Sequence, residues 1–174
     1  EPGAQIVVQG FDGNIASPIV EGRSPRWSPD GRKLAFHRRN DVYVLDLISG
    51  EQRTLLEEPV YLVRNGMDWS PDSQRLAVIV RPKRNAPRAL LFLEQDKEDQ
   101  RFAARLRLDM SGMCAFSPDG SQLVLEAGWK VRLVPVDGDE RPTIVPGQKG
   151  HNLQPDFSPD GKLIVFASDR HTVP

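Results

Sequence analysis

Trp27-Ser28-Pro29-Asp30-Gly31, Trp69-Ser70-Pro71-Asp72-Ser73, Phe116-Ser117-Pro118-Asp119-Gly120 and Phe157-Ser158-Pro159-Asp160-Gly161 are four versions of one pentapeptide. Their aromatic residues lie 42, 47 and 41 positions apart. One Ser-Pro-Asp-Gly carries little information. Four at nearly constant spacing, each led by an aromatic and followed by an apolar run, define a structural repeat. The period suits a unit of four strands and exceeds the roughly 33 or 34 residues of an ankyrin or tetratricopeptide unit.

The pentapeptide has the chemistry of a tight turn. Proline fixes φ at about −65° and aspartate can bond backbone N–H groups just downstream. Glycine then takes positive φ without steric cost. Ser73 replaces that glycine in the second copy, so its turn is expected to differ or to carry strain. Apolar segments follow each turn at 34–36, 76–80, 123–125 and 163–167, and a second set lies at 42–47, 89–93 and 131–136. They are too short for helices and rich in β-branched residues, which reads as strands. Many lack polar alternation, as expected where both faces of a sheet are covered. Asp12-Gly13 and Asp137-Gly138 fit hairpin turns into fourth strands near 14–19 and 141–145, with further fourth strands near 52–57 and 101–108. Residues 94–100 read as a charged hairpin tip, and no segment reads as a helix.

The aromatic-Ser-Pro-Asp-Gly signature followed by strands such as Lys33-Leu34-Ala35-Phe36 resembles the propeller repeat of TolB and tricorn-type proteins, over nearly the whole chain. The expected fold is all-β: a β-propeller of four-stranded antiparallel blades. The blades run over about 21–58, 64–108, 111–147, and 153–170 completed by 4–20. The N-terminal segment reads as third and fourth strands, and the C-terminal one as first and second. Joined, they would close a ring of four blades and remove the exposed edges that invite aggregation. The alternative is part of a larger propeller of six to eight blades. The resemblance implies a docking platform, a gated channel beside a protease or a sensor unit. It transfers no catalytic residue, because the motif is structural.

Length and composition narrow the rest. A chain of 174 residues can bury a sizeable core without disulfide or metal. Cys114 is the only cysteine, which excludes an internal disulfide and a cysteine-based zinc site, and reads as a small buried apolar residue. No apolar run approaches the roughly 20 residues of a membrane-spanning helix, so direct membrane insertion is not expected. The formal net charge of −1 argues against nucleic acid. Glu1 in place of an initiator methionine is compatible with a removed targeting segment. The resemblance implies a periplasmic or extracytoplasmic location, and a closed ring implies a monomer.

Charge is unevenly placed. Assigned by propeller connectivity, the face holding the loops between second and third strands and between blades carries 12 basic and nine acidic residues. The remainder carries 11 basic and 15 acidic. The basic face can steer an acidic peptide or protein. Its candidate binding residues are Arg38, Arg39, Arg81, Lys83, Arg84, Arg88, Trp129 and Lys130. Residues 81–88 form a proline-stiffened insertion whose arginines suit carboxylates; the plainer reading is a solvated polar loop. Trp129 breaks the repeat pattern and falls in a loop, where an exposed tryptophan can anchor a partner.

Neither catalysis nor a cofactor is expected. No GxSxG elbow or glycine-rich phosphate loop is present, the three histidines lack metal-ligand spacing, and Asp30, Asp72, Asp119 and Asp160 read as turn caps. Trp27, Trp69, Phe116 and Phe157 are expected in the core. The leading expectation is a non-catalytic scaffold that binds a protein or acidic peptide. The alternative is the propeller portion of a larger enzyme, resembling tricorn or prolyl oligopeptidases.

Overall fold

A computed structural model describes residues 3–15, 20–57, 61–81, 83, 85–95, 106–108, 110–137 and 141–169. β1 (Gln5–Ile6) and β2 (Val20–Glu21) form a short antiparallel hairpin, with Ile6 opposite Val20 and a further bridge from Gln9 to Ile15. Three four-stranded antiparallel sheets follow in simple meander order. Blade 1 comprises β3 (Arg23–Trp27), β4 (Lys33–Arg38), β5 (Asp41–Asp46) and β6 (Gln52–Leu56). Blade 2 comprises β7 (Tyr61–Trp69), β8 (Arg75–Arg81), β9 (Arg88–Glu94) and β10 (Leu106–Leu108). Blade 3 comprises β11 (Met110–Phe116), β12 (Gln122–Ala127), β13 (Lys130–Pro135) and β14 (Thr143–Ile144). β15 (Asn152–Phe157) and β16 (Ile164–Ser168) form the last sheet.

The repeated pentapeptide makes the same turn four times. In each, the serine Oγ donates to the aspartate Oδ1 at 2.5–2.6 Å and accepts the N–H five residues on at 2.9–3.0 Å. The aspartate also accepts the N–H two residues on at 3.0–3.1 Å. These bonds stabilise the ionised carboxylates and hold their pKa values down, to about 2 for Asp119. Ser73 takes φ 61°, close to the 70–73° of Gly31, Gly120 and Gly161, so its turn keeps the shape of the others. Its hydroxyl accepts the Asp30 N–H at 3.2 Å, tying one turn to the turn of the preceding blade. The first strand of each of the four sheets that carry the pentapeptide shifts register between its two ends, which bends it in the manner of a bulge.

The sheets pack face to face in chain order. Ala35, Val42, Val44, Leu55 and Leu56 of blade 1 meet Trp69, Leu76, Val78, Leu91 and Leu93 of blade 2. The other face of blade 2, with Ala77, Ile79 and Leu90, meets Cys114, Phe116, Leu123 and Leu125 of blade 3. Ile6, Val8 and Val20 of the first hairpin cover Leu34, Phe36 and Leu45.

Two expectations need correction. Among the described residues β1 and β2 pair with each other and β15 with β16, and no pairing joins the two sheets. Val165 on the outer face of β16 is 66% exposed, and Val7 and Ile15 of the first hairpin are exposed as well. A closed four-bladed ring would bury these residues, so the sheets form an open arc, as in part of a larger propeller. Trp27 is 52% exposed, whereas Trp69 is 3% exposed. The buried aromatics pack on the preceding blade: Trp69 also donates Nε1–H to Arg26 O at 3.1 Å, and Phe116 lies 6.0 Å from Phe92. Trp27 has only an outer hairpin before it, so its ring stays uncovered.

Candidate functional site

The turns joining second and third strands emerge at one end of the blades, beside the connections between sheets. In blade 3, Ala127 pairs with Lys130, so Gly128 and Trp129 form a two-residue turn with φ of 62° and 63°. That turn type favours glycine and asparagine. The left-handed conformation costs a bulky residue about 1–2 kcal/mol. Three bonds hold it: Trp129 N–H donates to the buried Glu126 Oε1 at 2.8 Å, and Trp129 O accepts from Asn152 N at 3.0 Å and Nδ2 at 3.3 Å. The indole is left 53% exposed, 4.7 Å from the His151 ring. His151 Nδ1 lies 2.9 Å from Asp169 Oδ2, and the His151 N–H donates to Asp169 Oδ1 at 2.6 Å. Lys130 Nζ donates to Gly150 O at 3.1 Å.

Blade 1 builds a second group. Arg38 pairs with Asp41 across a two-residue turn in which Arg39 has φ 57°. The Arg38 guanidinium lies 4.5 Å over the Tyr43 ring, a cation–π arrangement. The Tyr43 hydroxyl donates to Asp41 Oδ2 at 3.2 Å. Interaction with Tyr43, then Glu21 and Asp41, raises the Arg38 pKa further above its ordinary range. Glu21, Arg38, Arg39, Asp41 and Tyr43 line a cleft of about 330 Å³.

The other sequence-predicted residues belong to blade 2. Arg81 ends β8, Lys83 is exposed in the loop, and Arg88 opens β9 half-buried. Arg84 lies outside the described residues. The structure therefore gathers Arg38 with Arg39, and Trp129 with Lys130, into two groups on different blades. It adds Tyr43, His151 and Asp169, which sequence reasoning missed. His151 and Asp169 are 18 positions apart, and the pairing of Asn152 with Ser168 makes them neighbours. Cys114 is buried, and burial pushes its thiol pKa far up, so it behaves as an apolar side chain.

The stacked four-stranded meanders and repeated turns define a β-propeller. Residues 14–105, more than half of the chain, match the family model "Dipeptidyl peptidase IV (DPP IV) N-terminal region". The chain belongs to that family. It is 32% identical over 150 residues to the uncharacterized peptidase YuxL of Bacillus subtilis, covering 83% of this chain and 21% of that protein. It is 31% identical over 83 residues to the Tol-Pal system protein TolB of Alcanivorax borkumensis, covering 42% of this chain and 19% of that one. The chain thus spans about a fifth of the length of these curated relatives. TolB from Acinetobacter baumannii superposes with a TM-score of 0.68 at 18% identity, over 98% of this chain and 44% of that one. A putative TolB from Agrobacterium tumefaciens gives 0.65 at 21% identity, over 90% and 57%.

Proposed function

We propose that this propeller is a non-catalytic binding unit of a peptidase-like assembly outside the cytoplasm, and that it takes peptide segments on the end of the blades bearing Arg38, Arg39, Trp129 and Lys130. The observation that carries the reading is Trp129: a strained turn, fixed by three hydrogen bonds, presents a large indole to solvent. Strain of this kind collects at sites of function, and tryptophan and arginine dominate binding hot spots. Family membership and the identity to YuxL support a role beside a peptidase domain. The likeness to TolB supports the extracytoplasmic location and a second reading, a docking scaffold in its own right. A parent gene encoding a downstream GxSxG domain would favour the first of these.

The test is calorimetric titration of the chain with acidic peptides. Trp129→Ala is expected to weaken binding by about 30-fold, the loss of a hot-spot residue worth about 2 kcal/mol. Reversing Arg38 and Arg39 to glutamate is expected to slow association and reduce its salt dependence. Equal affinity of Trp129→Ala and the parent chain for a bound peptide would remove the site from this face.

A further inference from the structure

A separate polar site lies at the other end of the blades, among the turns that follow first and third strands. Blades 1 and 2 meet there around a cleft of about 170 Å³ lined by Lys33, Val44, Asp46, Glu51, Arg53 and Gln95. Gln95 is only 2% exposed. Its backbone N–H donates to Gln74 O at 2.9 Å, and its carbonyl accepts from the Arg53 guanidinium. Its side-chain Oε1 accepts from Lys33 Nζ at 3.2 Å. The ammonium decides which way the amide faces, because turning it over would set donor against donor. Gln95 Nε2 is then a buried donor with no acceptor among the described residues. Such a group costs roughly 1–3 kcal/mol, and native proteins leave few of them.

The cleft is rich in donors beyond that amide. Lys33 and Arg53 each use one N–H on Gln95 and keep others in hand. Asp46 Oδ1 is occupied by the Ile48 and Ser49 N–H groups of its own turn, at 2.8 and 2.9 Å. A ligand that satisfies the Gln95 amide must bring an acceptor. The lining itself is balanced, two cations against the carboxylates of Asp46 and Glu51, so each further negative charge adds repulsion and one is favoured over two. One carboxylate fits, with room for a short apolar stem beside Val44, since a water takes about 30 Å³.

We propose that this inter-blade cleft binds a monocarboxylate, held by Lys33, Arg53 and the Gln95 amide. The source is either a free short acid or the side chain of an acidic peptide. The site does not depend on the proposed role of Trp129. Side-chain amide NMR of the whole chain reads it directly, because the Gln95 Nε2 protons are the reporter and Gln95→Leu assigns them. Acetate and an acetylated aspartyl methylamide are the two probes.

Acetate is expected to shift the Gln95 pair saturably, with affinity falling about tenfold in Lys33→Met. Tighter binding of the aspartyl probe assigns the site to a peptide side chain, and binding of acetate alone assigns it to a free acid. Arg53→Met is a second variant with the same expected loss. No saturable shift with either probe, equal affinity in both variants, or tighter binding of inorganic phosphate than of acetate would each overturn the proposal.

Discussion

Blade 2 and the last sheet descend from the same repeat, yet one is covered on both faces and the other on one. At the position eight residues after the repeat aromatic, Ala77 and Val124 are 0% exposed while Val165 is 66% exposed. The turns before all three are alike to within about 0.1 Å in their shared hydrogen bonds. The repeat therefore specifies strand and turn locally, whereas burial comes from a neighbour that another repeat must supply. The two tryptophans make the same point at the other end. Trp69 has a complete blade to pack against, and Trp27 has only a hairpin.

The largest test of that contrast uses the tryptophans. Trp69→Ala should cost about 3–5 kcal/mol, since it opens a cavity and leaves the Arg26 carbonyl without its donor. Trp27→Ala should cost less than about 1 kcal/mol, because half of its ring already faces solvent. Urea unfolding of both variants measures the difference. Equal costs would mean that the first face is covered in solution, and the contrast would fail. The valines sharpen it with identical chemistry: Val124→Ala should cost about 2–3 kcal/mol and Val165→Ala under about 0.5 kcal/mol.

What the sequence made legible follows from this division. Proline, aspartate and glycine act through local backbone geometry, so the four turns and their flanking strands could be read residue by residue. The arc could not. Counting strands showed that the end segments complement each other, but ring size depends on how far each blade rotates on the next. That rotation depends on contacts between blades far apart in sequence, such as Trp69 Nε1–H on the Arg26 carbonyl and Phe116 beside Phe92, and no spacing encodes them. Trp129 stood out because it departed from the repeat. His151, Asp169 and Gln95 carried no such signal: a histidine and an aspartate met across a hairpin, and a glutamine closed an ordinary strand.

A smaller effect separates a carboxylate between blades from one at a turn. Asp68 lies between blades 2 and 3, where Oδ2 accepts the Phe116 N–H at 2.9 Å, and burial raises its pKa to about 6. In the unfolded chain the group titrates near 3.9. Between pH about 4 and about 6 the native state keeps a proton that the unfolded state has lost, so stability from this group falls as pH rises. Asp119 has the opposite sign: its pKa is depressed to about 2, and its contribution, present above pH about 4, is lost as pH falls. Asp68→Asn should therefore gain on the parent chain from pH 4 to 6. A constant difference across that window would show that Asp68 titrates as an ordinary surface carboxyl.

The smallest effect sits in the turns themselves, where Ser73 differs from Gly31. A Cβ added at Gly31 would meet nothing within 4 Å, so Gly31→Ala should show only the left-handed penalty of about 1–2 kcal/mol. Ser73 carries the same φ but its hydroxyl accepts the Asp30 N–H of the neighbouring turn, an inter-blade bond worth about 1 kcal/mol. Ser73→Ala keeps the strained φ and loses the bond, so it should destabilise by about that amount. Ser73→Gly loses the bond and relieves the strain, and the two should nearly cancel. If Ser73→Gly instead stabilises the chain by as much as about 1 kcal/mol, the Ser73 hydroxyl adds nothing to the contact between these two turns.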